Sequence, residues 1–253
     1  VNNKSIAAQL YTVRDALKTP EEIAVSLRMV KQIGYDAVQV SGLGPIEPTR
    51  LQEITDELEL RICATHISYD KLLHDLPDVI RTHQLWHCDY VGLGMLPEPY
   101  RTSRAGYEAF IAEFSEVGRR LEDNGLHLVY HNHDIEFERF DGVTGMDLLL
   151  AGASPDTYSL ELDTYWVQAG GANPIEWIGK AAGHLKVIHL KDMAIAERKQ
   201  VFAELGEGNL NWPPLLQACR DSGVQWYVVE QDTCRRDPFD SLAMSLAYLS
   251  NLL

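Results

Sequence analysis

One pattern runs through this chain unbroken and leaves few folds open to it. A short apolar, β-branched segment is followed by an amphipathic stretch, and the pair recurs eight times. The apolar segments end near Leu10, Val40, His66, Gly92, His131, Asp163, His189 and Glu230, so successive ends lie 26 to 41 residues apart. Each interval holds one strand and one helix, which predicts a parallel sheet with helical crossovers. Eight such units in 253 residues predict closure into a (β/α)8 TIM barrel, an α/β fold occupying residues 1–253 as one domain. The chain offers no linker, low-complexity tract or closer internal repeat.

Helix starts support this segmentation. Thr19-Pro20-Glu21-Glu22 supplies an N-cap, a proline at the first helical position and a carboxylate three residues after the cap, with Ile23, Leu27 and Val30 on one face. Asn173-Pro174 and Asp237-Pro238 repeat the grammar. Between Ser103 and Asn124 the residues Tyr107, Phe110, Ile111, Phe114, Val117 and Leu121 form one apolar stripe, the longest helix expected. Trp177 and Trp226 fall where helix and strand should pack and are expected in the core.

Charge and cysteine usage narrow the function. A formal net charge of −15 argues against a nucleic-acid partner, because phosphate binding needs clustered Lys and Arg. No apolar run is long enough to span a membrane, and the opening VNNKSIAAQL lacks the charged-then-apolar layout of a secretory signal. The expected compartment is the cytoplasm, or the periplasm if a leader preceded Val1. Cys63, Cys88, Cys219 and Cys234 are scattered with no CxxC pair and read as buried thiols.

In such a barrel the active groups sit at the carboxyl ends of the strands. Here those positions carry Gln9, Gln39, His66, His131, Asp163, His189 and Glu230, while the fourth strand, YVGLGM, ends in glycines. Alternation along a strand places Glu161 with Asp163, Val187 with His189 and Lys191, and Val228 with Glu230 on the barrel axis, and Leu160, Leu162, Ile188 and Leu190 toward the helices. In YHNHDIEF, His131 and His133 share one side and Asn132 the other. Asp163, His189, Glu230 and one of the two histidines therefore converge, a mixed nitrogen and oxygen donor set that suits Mn²⁺, Zn²⁺, Co²⁺, Fe²⁺ or Mg²⁺.

The stretches AQLYTVRD, IGYDAVQV, ATH, YHNHDIEF, LELDTYWV, HLKD, GEGNLNW and VVEQD, in that order, resemble the xylose-isomerase-like barrel superfamily, in particular its sugar phosphate isomerase/epimerase group. The resemblance implies one divalent ion, Mn²⁺ first among the candidates, held by His131, Asp163, His189 and Glu230. It departs at one position: many epimerases of this superfamily carry a glutamate where His131 stands, so a symmetrical pair of acid/base carboxylates is not expected.

These residues predict proton abstraction beside the carbonyl of a keto sugar or polyol, through an enediolate. Glu230 is the first choice of base, followed by His133 and Lys191. Isomerisation or epimerisation is the leading expectation. Lyase chemistry of the inosose dehydratase or keto-glycoside eliminase kind is the runner-up, and an apurinic endonuclease or a non-catalytic sugar-binding protein stands further back. His66, Trp166 and Arg235 are expected to contact the substrate; the plainer alternative is a satisfied loop histidine for His66 and a lid or core role for Trp166, while Arg235 and Arg236, just past the eighth strand, are the anion candidates. Glu161 is expected either to orient a ligand histidine or to bond within the barrel. LGEGNLNW, despite Gly206 and Gly208, is read as a turn, which leaves an unphosphorylated substrate. A homo-oligomer is compatible with all of this.

Overall fold

The computed structural model describes residues 5–252. Residues 1–4 and 253 of the expected 1–253 domain, including the start of the VNNKSIAAQL segment, lie outside the described residues. Eight parallel strands close into a barrel: β1 (Ile6–Gln9), β2 (Ala37–Val40), β3 (Arg61–His66), β4 (Tyr90–Leu93), β5 (His127–His131), β6 (Ser159–Asp163), β7 (Leu185–Leu190) and β8 (Trp226–Val229). They are neighbours in chain order, and β8 closes onto β1 through Ala7 opposite Val228. The alternation in the sequence thus has its physical cause: each strand is buried on both faces, one by the axis and one by a helix.

Two apolar clusters show the inside and outside of the wall. Ala7, Ala37, Cys63, Ala64, Tyr90, Val129, Val187 and Val228 fill the axis, whereas Leu128, Tyr130, Leu160, Leu162, Ile188, Leu190 and Val229 meet the helices. The expected facing of β6, β7 and β8 is borne out by this partition. Small axial residues at β1 and β2 offset the larger ones across the ring.

The helices begin where the capping residues stand. Thr19 accepts from the Glu22 N–H while the Glu22 carboxylate takes the Thr19 N–H, a complete capping box for Pro20–Ile33. The long helix is Arg104–Glu122. Its Gly118 permits close approach, because a Cβ there would fall 1.6 Å from the Thr157 carbonyl oxygen. Trp177 lies in the outer core, and Trp226 is half-buried under the Arg61 guanidinium, 4.6 Å from its ring. Cys63, Cys88 and Cys219 are buried thiols, Cys234 half-buried. Two short hairpins decorate the top: Arg139–Phe140 with Val143–Thr144, and Asp192–Ala196 with Lys199–Ala203. The second was not expected and brings Phe202 to the barrel mouth. Among the described residues no helix is long and apolar enough to cross a membrane.

Candidate metal centre and substrate cavity

The last residues of β5 and β6, the penultimate residue of β7 and the residue following β8 bring His131, Asp163, His189 and Glu230 together. All four are buried, and one ligand atom from each lies within 4.8 Å of the others. Bonds of about 2.0–2.2 Å place opposite ligands of one ion roughly 4.2 Å apart, so small movements would close this set around a divalent ion.

The hydrogen bonds behind these residues decide which atoms face inward. His131 Nδ1 lies 3.2 Å from the Gly94 carbonyl, which only accepts, so Nδ1 carries the proton and Nε2 presents a lone pair. That lone pair meets Asp163 Oδ2 at 3.3 Å. Burial, then the neighbouring His189, keep His131 below the usual imidazole range, so two acceptors confront one another. Asp163 is fixed through its other oxygen: Oδ1 takes the Trp166 N–H at 3.0 Å and caps the helix Thr164–Ala169.

His189 is set from the axis. Gln39 donates its amide to Glu161 Oε1 at 2.8 Å, so its oxygen must accept from His189 Nε2 at 2.7 Å. This leaves His189 Nδ1 facing Glu230 Oε2 at 2.8 Å. Glu161 also meets His66 Nε2 at 2.7 Å, and its buried carboxylate is therefore shared by Gln39, His66 and His189. Burial opposes the charge on His189, yet Glu161 and Glu230 outweigh it and lift this ring to about 10. A bound divalent ion would take the place of that proton.

Lys191 is the counter-charge. Its ammonium is buried and lies 2.9 Å from Glu230 Oε2, 3.0 Å from Asp163 Oδ2 and 3.2 Å from Asp232 Oδ2. Burial would raise Glu230, but Lys191 and His189 hold it well below the usual carboxylate range. Three buried carboxylates, Glu161, Asp163 and Glu230, still outnumber the buried Lys191 ammonium and the His189 ring together. The donor set and its negative excess fit a divalent cation.

A cavity of about 800 Å³ opens above this group. His66, His131, His133, Trp166, Glu230 and Asp232 line its floor and near wall. Of the two histidines left open by the sequence, His131 belongs to the four-residue group; His133 lines the cavity with its ring 4.9 Å from that of His131 and 5.0 Å from Trp166. His133 Nδ1 and Trp166 Nε1 are buried without a hydrogen-bond partner. Arg235 is exposed and outside the lining; the chain past β8 turns outward, and Arg236 pairs with Glu204 at 3.2 Å. The arginine at the cavity is Arg101, which the sequence did not single out.

Two further carboxylates were missed. Glu136 is buried, accepting the Tyr130 hydroxyl at 2.5 Å and the His133 N–H at 2.8 Å, and burial raises it to about 7. With Asn132, whose Oδ1 takes the Asp163 N–H at 3.0 Å, it makes the YHNHDIEF segment a scaffold for its own histidines. Asp192 is fully buried and accepts the N–H groups of Met193, Gly206, Gly208 and Leu210 and the Trp212 indole N–H. It accounts for both HLKD and GEGNLNW: the loop is a turn wound on one carboxylate. A carboxyl group several residues from a run of glycines was the available signal.

The architecture and this buried donor set define a (β/α)8 barrel whose strand ends carry groups able to hold a metal ion. The family model for the xylose isomerase-like TIM barrel matches residues 27–252, and the chain belongs to that family. Among curated relatives, inosose dehydratase of Lacticaseibacillus casei is 26% identical over 161 residues, covering 56% of this chain and 53% of that protein. The chain thus spans about half the length of such curated relatives. Inosose dehydratase of Geobacillus kaustophilus is 21% identical over 269 residues, with 90% and 86% covered. A sugar phosphate isomerase/epimerase from Parabacteroides distasonis superposes with a TM-score of 0.81 at 21% identity, 98% of each chain covered. An L-ribulose 3-epimerase superposes at 0.74 with 16% identity, covering 97% of this chain and 93% of the other. At these identities the superpositions show a shared fold. The relatives and neighbours named here are a dehydratase, an isomerase/epimerase and an epimerase, and the family to which the chain belongs is one of enzymes.

Proposed function

We propose that this protein is a divalent-metal-dependent isomerase or epimerase that enolises a keto sugar or polyol, with His131, Asp163, His189 and Glu230 as ligands. The observation that carries this reading is the convergence of four buried side chains, His131, Asp163, His189 and Glu230, each with a ligand atom within 4.8 Å of the others. An ion held there, with Mn²⁺ the first candidate, would polarise the substrate carbonyl and favour negative charge on its oxygen.

The chain's own residues supply the proton transfers. Glu230 is the one ligand carboxylate that lines the cavity, and it takes the proton from the carbon beside the carbonyl. Lys191, 2.9 Å from Glu230, keeps that carboxylate ionised and directs an ammonium toward the site of developing charge. The unpartnered His133 Nδ1 and Trp166 Nε1 serve sugar hydroxyls, and the Trp166 ring offers a face for the sugar. His66, held by Glu161 at 2.7 Å, orients the opposite end of the substrate.

A second reading is elimination of a β-hydroxyl or glycosidic oxygen. It is favoured by the single cavity-lining ligand carboxylate and by the inosose dehydratases among the relatives. Incubation of the metal-loaded protein with ketoses, inososes and 3-keto-glycosides in D₂O separates the two. Deuterium uptake without water loss supports isomerase or epimerase chemistry, and an unsaturated product establishes the lyase. Nicking of an abasic DNA duplex would overturn both.

A further inference from the structure

The cavity is larger and more lopsided than one sugar ring needs. Cavities of roughly 300–1,000 Å³ hold drug-sized ligands, and 800 Å³ lies in the upper part of that range. The titratable groups and the Trp166 and Phe202 rings gather over β5 to β8. Across the ring, the loops after β3 and β4 present a different wall. It is made by Ile67, Tyr69, Met95, Leu96 and Pro97, joined by Ile135 from the loop after β5.

Three details show that this wall is apolar in use as well as in composition. The Tyr69 hydroxyl is tied to Glu113 at 2.9 Å, so Tyr69 offers its ring to the cavity and not its oxygen. Arg101, the cation on this side, already donates its Nε–H to the Leu96 carbonyl at 2.7 Å and thereby holds the loop. Met95 is 44% exposed, a large apolar side chain left in water where the other exposed positions of the chain are mostly polar. Asp134 and Asp232 add negative charge to the rim, which disfavours a phosphorylated sugar.

We infer that the loops after β3 and β4 form a second subsite for an apolar substituent, so that the substrate is a glycoside-like keto sugar bearing a hydrophobic, aryl-type group. This rests on the reading of the ion-binding floor as the sugar site. Flat, flexible methionine and tyrosine surfaces suit an aromatic group of variable shape.

The test uses matched pairs of methyl and phenyl 3-keto-β-glycosides of glucose, galactose and xylose, titrated calorimetrically into the Mn²⁺-loaded protein, with glucose 6-phosphate as a third probe. The phenyl member of the best-binding pair is expected to bind at least tenfold tighter than its methyl partner. Met95→Glu, at an exposed position that folding tolerates, should remove that tenfold advantage, while Met95→Leu retains it. Equal affinities within every pair, or an unchanged advantage in Met95→Glu, would overturn the subsite and leave the sugar site standing. Tightest binding of glucose 6-phosphate would assign the wall to Arg101 and an anion instead, which also overturns it. Failure of all the glycosides to bind would bring down the sugar reading itself.

Discussion

At the scale of single residues, the ligand set and the base are separable from the groups that merely hold them. Glu230→Gln keeps the size and most hydrogen bonds of the side chain but removes the base. Solvent deuterium exchange into substrate should fall by about 10²–10⁴-fold, with an unchanged far-ultraviolet spectrum. Retention of near wild-type exchange would exclude Glu230 as base. His83 makes a different kind of prediction. In the neutral ring its Nδ1–H donates to the Val79 carbonyl at 2.7 Å, and its Nε2 accepts the Thr65 hydroxyl at 2.8 Å. Burial pushes it down to about 4 from an ordinary 6.5. The unfolded chain therefore binds a proton that the folded chain refuses between those values. Folding stability should fall as pH drops from 6.5 toward 4, by on the order of 3 kcal/mol from this group. Urea melts of wild type and His83→Gln across that window should show the variant with the shallower slope.

At the scale of elements, the strands and their inward faces were legible because alternation and buried β-branched residues leave one consistent register. The helix starts were legible through Thr19-Pro20, Asn173-Pro174 and Asp237-Pro238, each of which caps a helix as its local chemistry demands. The top of the barrel was less so. The hairpin Asp192–Ala196 with Lys199–Ala203 pairs two five-residue strands within one loop of the eightfold strand–helix pattern, which leaves no place for it, and its Phe202 reached the cavity unforeseen. Arg235 looked like a substrate contact because it follows β8 closely, but position in the chain does not give direction once a loop begins. Asp192 was passed over because its partners are backbone N–H groups, which no side-chain pattern reveals. Asp192→Asn should loosen the loop of residues 204–212 and cost about 2–4 kcal/mol, since a charged acceptor with several donors is replaced by an amide that presents a donor of its own. Denaturant melts give the stability, and faster proteolysis within that loop locates the change.

At the scale of the whole molecule, net charge and site charge have the same sign. The chain carries a formal −15, and its axis concentrates Glu161, Asp163 and Glu230 against Lys191. A divalent ion bound to the folded state alone would therefore stabilise the barrel as a whole. Chelation should lower the melting temperature, and Mn²⁺ at a hundredfold excess over its dissociation constant should restore about 2.7 kcal/mol. Elemental analysis of the repleted protein should return one ion per chain. An unchanged melting curve on chelation and repletion would leave the four ligands as a structural ion-pair network. The fold could be read at this scale because barrel closure follows from eight equal units. The convergence of the four proposed ligands followed only once closure was assumed, since His131 and Glu230 are far apart in the chain and meet because the sheet curves.

Asp163 divides its two oxygens between the cap of the Thr164–Ala169 helix and the ligand group, and that helix carries Trp166. The floor and the tryptophan therefore cannot settle independently. Where Trp166 seats against a sugar, thermodynamic reciprocity requires that any gain in sugar affinity conferred by the ion be returned, factor for factor, as a gain in ion affinity conferred by the sugar. Such a protein would keep its metal most firmly while it is at work.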